Sequence, residues 1–376
     1  MNKSDFLTLK NYISSHNGKT INEVSKSDKQ YKAQKEVIKA SNFTPILQKN
    51  YDLSEHDEIF LYNIGDLHLG NVGSNIDKAM RHLKTIKYLP NAFIIIGGDL
   101  MDNSNGLGKG DPMQSTMAIM DQQQFVYKLF GDPELREKIL LVLSGNHESG
   151  DRTKLTGIDT LYAPASLLGL SDKYANHMAQ VNIALHSNLA KDGKAQFSLL
   201  TRHGSGRSGG EGAIIDQMNR FQNNYSPESD MVVQFHTHKS INAIIPSYEE
   251  TSNGQSVHKD TNIFSVPSYL NICEYTGDGQ YDDPNTDNKL VRIRPIENYK
   301  LKDSTEETKS SYLPYTFSVD YISLDRPELV ALSKRDDKEV ELSESEKEYI
   351  NNFVDMLFDK EDNIKDNSEA ELGGDN

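Results

Sequence analysis

A chain of 376 residues can bury a large core, and its 36% hydrophobic and 26% charged residues are typical of a globular protein. The formal net charge of −16 disfavours a broad electrostatic grip on nucleic acid, which draws on Lys and Arg, but it does not exclude a local groove. No apolar run reaches the roughly 20 residues that span a bilayer, and the start of the chain predicts no signal peptide. The one cysteine, Cys273, excludes an internal disulfide and favours a reducing, cytoplasmic setting.

The first 50 residues are polar and basic, with nine lysines against four acidic residues. Five of these lysines recur at three- to four-residue steps and would share one helix face: Lys26, Lys29, Lys32, Lys35 and Lys39. We therefore predict a basic helical extension over residues 1–50. The stripe fits a solvated helix face, and the alternative is an arm that contacts nucleic acid or a protein partner.

From residue 58, short apolar strands alternate with amphipathic helices. Strands are predicted over Ile59–Ile64, Ala92–Ile96 and Ile139–Leu143, with helices at about 75–88 and 117–130 between them. This alternation indicates a parallel sheet, and open sheets of this kind bind ligands at the carboxyl ends of their strands.

Further strands are predicted over Gln196–Thr201 and Asp230–Phe235, and the alternating segments Asn242–Ile245 and Thr316–Leu324 suggest additional strands of a second sheet. The glycine-rich segment 204–210 precedes a predicted helix and is either an anion-binding turn or a flexible loop.

The C-terminal part of the sequence is acidic. Residues 336–376 contain fifteen acidic residues and four lysines, and an amphipathic helix is predicted over 343–360 with a disordered tail after it. The predicted organisation is an N-terminal extension (1–50), a catalytic domain (51–325) and an acidic C-terminal helix and tail (326–376).

Polar residues with metal-binding potential follow the predicted strands. They are two aspartates, one asparagine and four histidines: Asp66, His68, Asp99, Asn146, His203, His236 and His238. Imidazole and carboxylate ligands together suit Mn, Fe or Zn, and the absence of thiolates argues against a structural zinc site. Asp99 lies centrally among the parallel strand ends, where its two oxygens can bridge two ions. Two ions about 3.5–4 Å apart can clamp a phosphate and activate a bridging water.

Five motifs occur in a fixed order over residues 58–270. They read Gly65-Asp66-Leu67-His68, Gly98-Asp99-Leu100-Met101-Asp102, Gly145-Asn146-His147-Glu148, His203-Gly204 and Phe235-His236-Thr237-His238. This set resembles the calcineurin-like metallophosphoesterase superfamily.

The resemblance implies an α/β fold in which a two-sheet β-sandwich is flanked by helices. It implies that Asp66, His68 and His238 hold one metal, that Asn146, His203 and His236 hold a second, and that both share Asp99. A metal-bridging water would attack phosphorus while His147 protonates the leaving oxygen as general acid. Two divalent ions are expected, most readily Mn, with Fe, Zn or Mg as alternatives.

The sequence departs from the superfamily pattern at one position, because Phe235 stands where glycine normally precedes the His-x-His motif. We expect this to reshape the turn, with the ring packed inward. Asp102 is predicted to accept a hydrogen bond from a ligand. Three arginines lie near motifs and are candidates for substrate phosphate binding or for surface ion pairs: Arg152, Arg202 and Arg207.

The substrate class depends on sequence outside the metal ligands. Asp102 is followed by Asn103 and Ser104, so the Arg-Gly of protein phosphatases is absent, and the run Asp66–Gly70 looks like SbcD-type DNA exonucleases. These features favour phosphodiester cleavage of nucleic acid or nucleotides. The Lys- and Asn-rich composition fits a bacterial or bacteriophage source, and the expected location is the bacterial or host cytoplasm. The alternatives are a phosphomonoesterase (phosphoprotein phosphatase or nucleotidase) and a non-catalytic scaffold, which the intact ligand set disfavours. The charged termini are candidate docking segments for a protein partner.

Overall fold

The structure is a computed structural model, and it describes residues 46–104, 115–150, 159–204, 209–250, 256–271, 287–298 and 313–334. The predicted N-terminal helix, the acidic helix over 343–360, and the residues Arg152, Arg207 and Cys273 lie outside the described residues. Those predictions therefore stay as they are.

Two six-stranded sheets form the body of the protein, as the resemblance implied. The back sheet has the order β1-β6-β7-β8-β10-β9, and its strands are β1 (Leu47–Leu53), β6 (Met178–His186), β7 (Lys194–Arg202), β8 (Met231–Gln234), β9 (Ile241–Glu250) and β10 (Ser256–Ser265). The front sheet has the order β12-β11-β2-β3-β4-β5, and its strands are β2 (Ile59–Ile64), β3 (Ala92–Ile96), β4 (Ile139–Leu143), β5 (Tyr174–Ala175), β11 (Lys289–Glu297) and β12 (Tyr315–Ser323).

Seven α-helices are present in the described residues, together with a short 3₁₀ turn at Ser171–Lys173. They are α1 (Ile76–Tyr88), α2 (Ile119–Leu129), α3 (Pro133–Lys138), α4 (Asn146–Ser149), α5 (Tyr162–Leu167), α6 (Glu211–Tyr225) and α7 (Pro327–Leu332). Among these described residues, no helix is long and apolar enough to cross a membrane.

The predicted parallel unit is confirmed, since β2 pairs with β3 and β3 with β4 in parallel. The prediction that 316–324 belongs to the second sheet is wrong. Strand β12 pairs antiparallel with β11, and β11 pairs antiparallel with β2, so both extend the front sheet. Alternation shows that one face of a strand is buried, but it does not specify the neighbouring strand, and this explains the error.

Two apolar layers hold the sandwich together. Alternate residues of β2 face opposite sides: Ile59 and Leu61 pack between the sheets, whereas Phe60 and Tyr62 pack against the helices. Helix α1 shows why the helix layer forms, because Ala79, Leu83 and Ile86 recur at helical spacing and are buried. Both layers end at the edge of the sandwich where the predicted ligands lie, so these ligands rest on a rigid base.

The predicted domain boundaries fall within packed structure. Strand β1 spans the boundary at residue 50 and pairs with β6 along its whole length. Helix α7 lies beyond residue 325, where Leu329 and Leu332 are buried and the Leu329 carbonyl accepts a hydrogen bond from Thr85 Oγ1 at 2.9 Å. The folded core thus includes residues on both sides of these boundaries, while the functional division of the chain stays a prediction.

Candidate metal centre

The side chains of the predicted cluster follow the carboxyl ends of five strands. Asp66 and His68 follow β2, Asp99 follows β3, Asn146 follows β4, His203 follows β7, and His236 and His238 follow β8. Strands β2, β3 and β4 are parallel to one another, and β7 is parallel to β8. Strand ends within each sheet therefore coincide, and the structure brings all seven predicted side chains to one edge of the sandwich.

The backbone of this cluster is strained. Five of its residues adopt left-handed φ angles: Asp66 at 49°, His68 at 48°, Asp99 at 49°, His236 at 71° and His238 at 58°. Such conformations cost about 1–3 kcal/mol each for residues other than glycine. Hydrogen bonds between the turns hold them, including Asp66 N–H to the Gly98 carbonyl at 2.9 Å and His68 N–H to the Asp99 carbonyl at 3.0 Å. The strained backbone conformations therefore fall on the residues whose side chains point into the cluster, and the hydrogen bonds between the turns maintain them.

The first half of the cluster consists of Asp66, His68 and His238, whose ligand atoms lie within 4.8 Å of one another. The Nε2 atoms of His68 and His238 face each other at 3.3 Å, and His238 Nε2 lies 3.3 Å from Asp66 Oδ1. Burial lowers the pKa of His68, which favours the neutral imidazole that a metal requires.

The second half consists of Asp99, Asn146, His203 and His236. His203 Nε2 lies 3.2 Å from Asp99 Oδ2 and 3.0 Å from Asn146 Oδ1, while His236 Nδ1 lies 4.0 Å from the same Asp99 oxygen. His203 Nδ1 is 2.6 Å from the Gly97 carbonyl, and donation of its N–H there leaves Nε2 directed at the cluster. Burial alone would lower the pKa of His203, but the Asp99 charge outweighs it and raises this pKa to about 10.

The donor set fits two divalent metal ions. Asp66 Oδ1 is buried, and its neighbour His238 Nε2 at 3.3 Å does not meet hydrogen-bond geometry, a costly arrangement for a carboxylate oxygen unless a cation completes it. Three overlapping groups could each hold an ion, and Asp99 belongs to two of them. Imidazole and carboxylate ligands in this combination suit first-row divalent ions. Metal binding by these particular residues remains a prediction that their convergence supports.

His147 lies beside both halves with its ring fixed. Its Nδ1 is 2.6 Å from the backbone oxygen of Asp102, so donation of that N–H leaves Nε2 facing the cluster, 4.0 Å from Asp99 Oδ2. The His147 ring also meets the His68 ring edge-on, with centroids 4.6 Å apart. Burial opposes protonation of His147, but the Asp99 charge and the Asp102 carbonyl raise its pKa overall. This geometry suits a proton donor.

The Asp102 carboxylate lies close to the rings of both His68 and His147. Its carboxylate Oδ1 lies 3.5 Å from His68 Nδ1, as expected for an acceptor behind a ligand, and Ser104 Oγ donates to its other oxygen.

Glu148 anchors the turn around Asp99, a role that the sequence analysis did not assign. Its carboxylate accepts hydrogen bonds from three backbone N–H groups, those of Asp99 at 2.8 Å, Met101 at 3.0 Å and Gly145 at 2.9 Å. Burial and the neighbouring Asp99 charge raise the pKa of Glu148 to about 8, whereas these three donors favour the carboxylate. The signal was present in the motif Gly-Asn-His-Glu, but the partners are backbone groups that sequence does not reveal.

Phe235 packs inward, as expected for the position where the superfamily has glycine. It is fully buried between the sheets. A Cβ atom on Gly97 would lie 2.2 Å from Phe235 Cδ1, and one on Gly65 would lie 2.7 Å from the same atom. The ring therefore occupies space that the two glycines leave open, directly beneath the turns that carry Asp66 and Asp99.

Of the three candidate arginines, only Arg202 lies within the described residues. Its guanidinium donates to Gln234 Oε1 at 2.7 and 2.5 Å and to the Gln217 carbonyl of α6 at 3.3 Å. It also lies over the Phe221 ring, 4.5 Å from the centroid. These contacts hold Arg202 against α6, whereas the next residue, His203, faces the cluster.

Comparison with known families places this architecture. Residues 61–277, more than half of the chain, match the calcineurin-like phosphoesterase family. No protein of curated function matches the sequence. Among solved structures, a hypothetical protein from Thermus thermophilus is 14% identical, with 70% of this chain and all of that chain covered at a TM-score of 0.26. A TM-score this low adds nothing to the assignment of the fold.

The fold and the centre together define a protein with an Asp/His cluster able to hold metal ions at the edge of a two-sheet α/β sandwich. The chain belongs to the calcineurin-like phosphoesterase family. Members of this family typically bind two divalent metals.

Proposed function

We propose that this protein is a hydrolase that cleaves phosphodiesters, with nucleic acid or a nucleotide as substrate. The observation that carries the proposal is the convergence on a single carboxylate oxygen. Asp99 Oδ2 lies 3.2 Å from His203 Nε2, 4.0 Å from His236 Nδ1 and 4.0 Å from His147 Nε2. Two of these imidazoles are candidate ligands, and the third is a candidate acid.

The protein's own residues divide the work between them. Asp66, His68 and His238 would hold one divalent ion, and Asn146, His203 and His236 the other, with Asp99 shared. When bound, the ions supply positive charge against the phosphoryl oxygens and make water a stronger nucleophile at neutral pH. Manganese is the proposed metal, with Fe, Zn or Mg as alternatives, because mixed nitrogen and oxygen ligands suit first-row divalent ions in general.

His147 would give a proton to the leaving oxygen. Its Nδ1 is committed to the Asp102 carbonyl at 2.6 Å, so the proton that it transfers resides on Nε2. General acid catalysis of this kind contributes about 10²- to 10⁴-fold to the rate.

A diester is favoured over a monoester by the sequence after Asp102, where Asn103-Ser104 stands in place of the Arg-Gly of protein phosphatases. A monoester carries one more negative charge, which typically recruits bidentate arginines. The described part of the chain supplies Arg202 in this neighbourhood, and that guanidinium is engaged by Gln217, Gln234 and Phe221. The residue after Asp102 is Asn103, whose side-chain amide contacts the His147 carbonyl instead of the cluster.

The test is hydrolysis with and without added Mn²⁺ of bis(p-nitrophenyl) phosphate, p-nitrophenyl phosphate, single- and double-stranded DNA, and cyclic nucleotides. We expect Mn²⁺-stimulated turnover of diesters that exceeds turnover of the monoester. A preference for p-nitrophenyl phosphate would replace the proposal with a phosphomonoesterase. Absence of Mn²⁺-stimulated turnover on every substrate would overturn the enzymatic proposal and favour a scaffold.

A further inference from the structure

Asn103 lies at the base of His147 and is almost fully buried, at 5% exposure. It adopts a left-handed φ of 50°, a conformation that asparagine tolerates better than most residues. The metal ligands do not include it, and the sequence motifs assign it no role.

The side-chain amide of Asn103 joins two segments that are distant in sequence. Its Nδ2 donates to the backbone carbonyl of His147 at 3.1 Å and to Thr160 Oγ1 at 2.8 Å. Thr160 is itself held from both sides, since its N–H contacts the Glu148 carbonyl at 3.4 Å and its carbonyl accepts from Gln123 Nε2 at 2.8 Å. The amide is therefore fixed at its far end as well as at His147.

The backbone of Asn103 is anchored to helix α2. Its N–H donates to Gln122 Oε1 at 3.1 Å, and Gln122 Nε2 donates to the Met117 carbonyl at 3.0 Å. Gln122 is fully buried, so this anchor is rigid.

One short turn consequently holds three polar groups of His147. The His147 N–H donates to Asp99 Oδ1 at 2.8 Å, its Nδ1 bonds the Asp102 carbonyl at 2.6 Å, and its carbonyl accepts from Asn103. The Asp99 contact is shared with the metal cluster. The Asp102 and Asn103 contacts lie outside the ligand set, and of these two the Asn103 contact is made by a side chain.

We propose that Asn103 is a positioning residue that holds His147 in register with the leaving oxygen of the substrate. The inference rests on the proposed function of His147 as general acid. An error of about 1 Å in the placement of a reacting group can cost on the order of 10²-fold in rate. Removal of the Asn103 amide should therefore slow protonation of the leaving oxygen without loss of metal.

Two substitutions separate the amide from the backbone conformation. Asn103→Asp keeps the size and tolerance of left-handed backbone but replaces the N–H₂ donor with an acceptor that faces the His147 carbonyl. Asn103→Gly keeps the conformation and removes the side chain. Asn91 provides the matched control, because it has a left-handed φ of 52° at the start of β3, at the opposite end of that strand from Asp99.

The decisive comparison uses two nucleotide esters that differ in their leaving group. Thymidine 5′-p-nitrophenyl phosphate releases a weakly basic phenolate that needs little protonation, whereas a thymidine dinucleotide releases an alkoxide that does. For both Asn103 variants we expect kcat on the dinucleotide to fall about tenfold to a hundredfold, and kcat on the nitrophenyl ester to fall less than about threefold. KM and the content of two Mn²⁺ per chain should stay unchanged, and Asn91→Asp and Asn91→Gly should match the unmodified protein.

A second readout needs no turnover. In metal-free protein, the imidazole N–H that bonds the Asp102 carbonyl should give a slowly exchanging proton resonance, assigned by its loss in His147→Gln. We expect this resonance to persist in the Asn91 variants and to broaden or vanish in the Asn103 variants.

Equal losses on both esters, or loss of Mn²⁺ in parallel with kcat, would show that Asn103 only supports the fold and would overturn the inference. An unchanged dinucleotide kcat together with an unchanged resonance would overturn it as well. If the unmodified protein hydrolyses neither ester, the proposed function fails, and the resonance still decides whether Asn103 orders His147.

Discussion

The two halves of the metal cluster differ in how completely the protein organises them. In the second half, His203 is fixed by the Gly97 carbonyl, by Asn146 and by Asp99 at distances of 2.6, 3.0 and 3.2 Å. In the first half the polar contacts are longer, since His238 Nε2 lies 3.3 Å from both Asp66 Oδ1 and His68 Nε2, and His68 Nδ1 lies 3.5 Å from Asp102 Oδ1.

The difference teaches that the halves should respond to different perturbations. Hydrogen bonds hold the second half in place. Because the pKa of His203 is raised to about 10, an incoming cation must displace a proton from its imidazole. The first half has less internal compensation and relies on the turn that carries Asp66. The Asp66 carbonyl accepts a hydrogen bond from the Tyr269 N–H at 3.1 Å, which connects this turn to the segment after β10.

The largest effect is expected where the halves join. Asp99→Ala removes the carboxylate that both share, and we expect loss of both Mn²⁺ ions and of detectable turnover. Elemental analysis of the purified protein gives the metal content. Asp121→Ala, at an exposed position on α2, is the control and should retain two ions. Retention of one ion by Asp99→Ala would mean that the halves bind independently.

His147→Gln is expected to lower turnover strongly without changing metal binding in either half of the cluster. The substitution keeps a polar side chain but removes the transferable proton, so kcat should fall by about 10²- to 10⁴-fold. Metal content should remain at two ions per chain. His186→Gln, on β6, serves as the control. Release of Mn²⁺ from His147→Gln would make His147 a ligand instead of an acid.

A pH titration should distinguish the halves directly. The folded-state pKa of His203 is raised to about 10, so this imidazole is protonated near pH 7 and must lose its proton to bind a metal. Mn²⁺ affinity at the second half should therefore fall by about tenfold for each pH unit below about pH 10.

Burial lowers the pKa of His68, so the first half should show a shallower pH dependence. Calorimetry in buffers of different ionisation enthalpy measures the protons released, with His68→Ala and His203→Ala isolating one half each. Identical proton release by these two variants would contradict the comparison.

The smallest effect is expected for Tyr269→Phe, which should loosen the first half alone. The Tyr269 hydroxyl contacts His82 Nδ1 at 2.6 Å and the Tyr62 hydroxyl, and all three side chains are fully buried. Leaving these partners unsatisfied should lower the free energy of unfolding by about 1–3 kcal/mol. Urea unfolding measures this change.

Mn²⁺ affinity of the first half should fall in Tyr269→Phe, while that of the second half stays unchanged. Tyr321→Phe is the control, since the Tyr321 hydroxyl makes a longer contact of 3.5 Å with the Ile263 carbonyl. Equal weakening of both halves would show that Tyr269 supports the sandwich generally.

The parts of the fold predicted from sequence were those with strong local signals. Strands β2, β3 and β4 begin and end where predicted, because each is a short, largely apolar run that stops at glycine or serine. Strand β1 was not predicted, since Lys49 stands at one of the alternate half-buried positions of Leu47–Leu53 and interrupts the apolar alternation that marks a strand. Strand β11 contains Arg292, Arg294 and Pro295, which weaken any strand signal.

The candidate site shows the same division. Motif order predicted which side chains converge, and the strand ends bring them together. The roles of Glu148 and Asn103 were not predicted, because their partners are backbone groups and residues such as Thr160 that meet them only in the folded chain. Hydrogen bonds to distant backbone leave no periodic trace in a sequence.

The packing of Phe235 against Gly65 and Gly97 also restricts the order in which this sequence can change. A methyl group at residue 97 would lie 2.2 Å from the Phe235 ring, so Gly97→Ala is incompatible with the present side chain. Phe235→Gly removes the three atoms nearest to that methyl group, so Gly97→Ala should be better tolerated after it. A smaller residue at position 235 must therefore precede a larger one at position 97, because the reverse order passes through the clash with the Phe235 ring. The effect of a substitution at residue 97 therefore depends on the side chain at residue 235, which is epistasis between two positions beneath the metal centre.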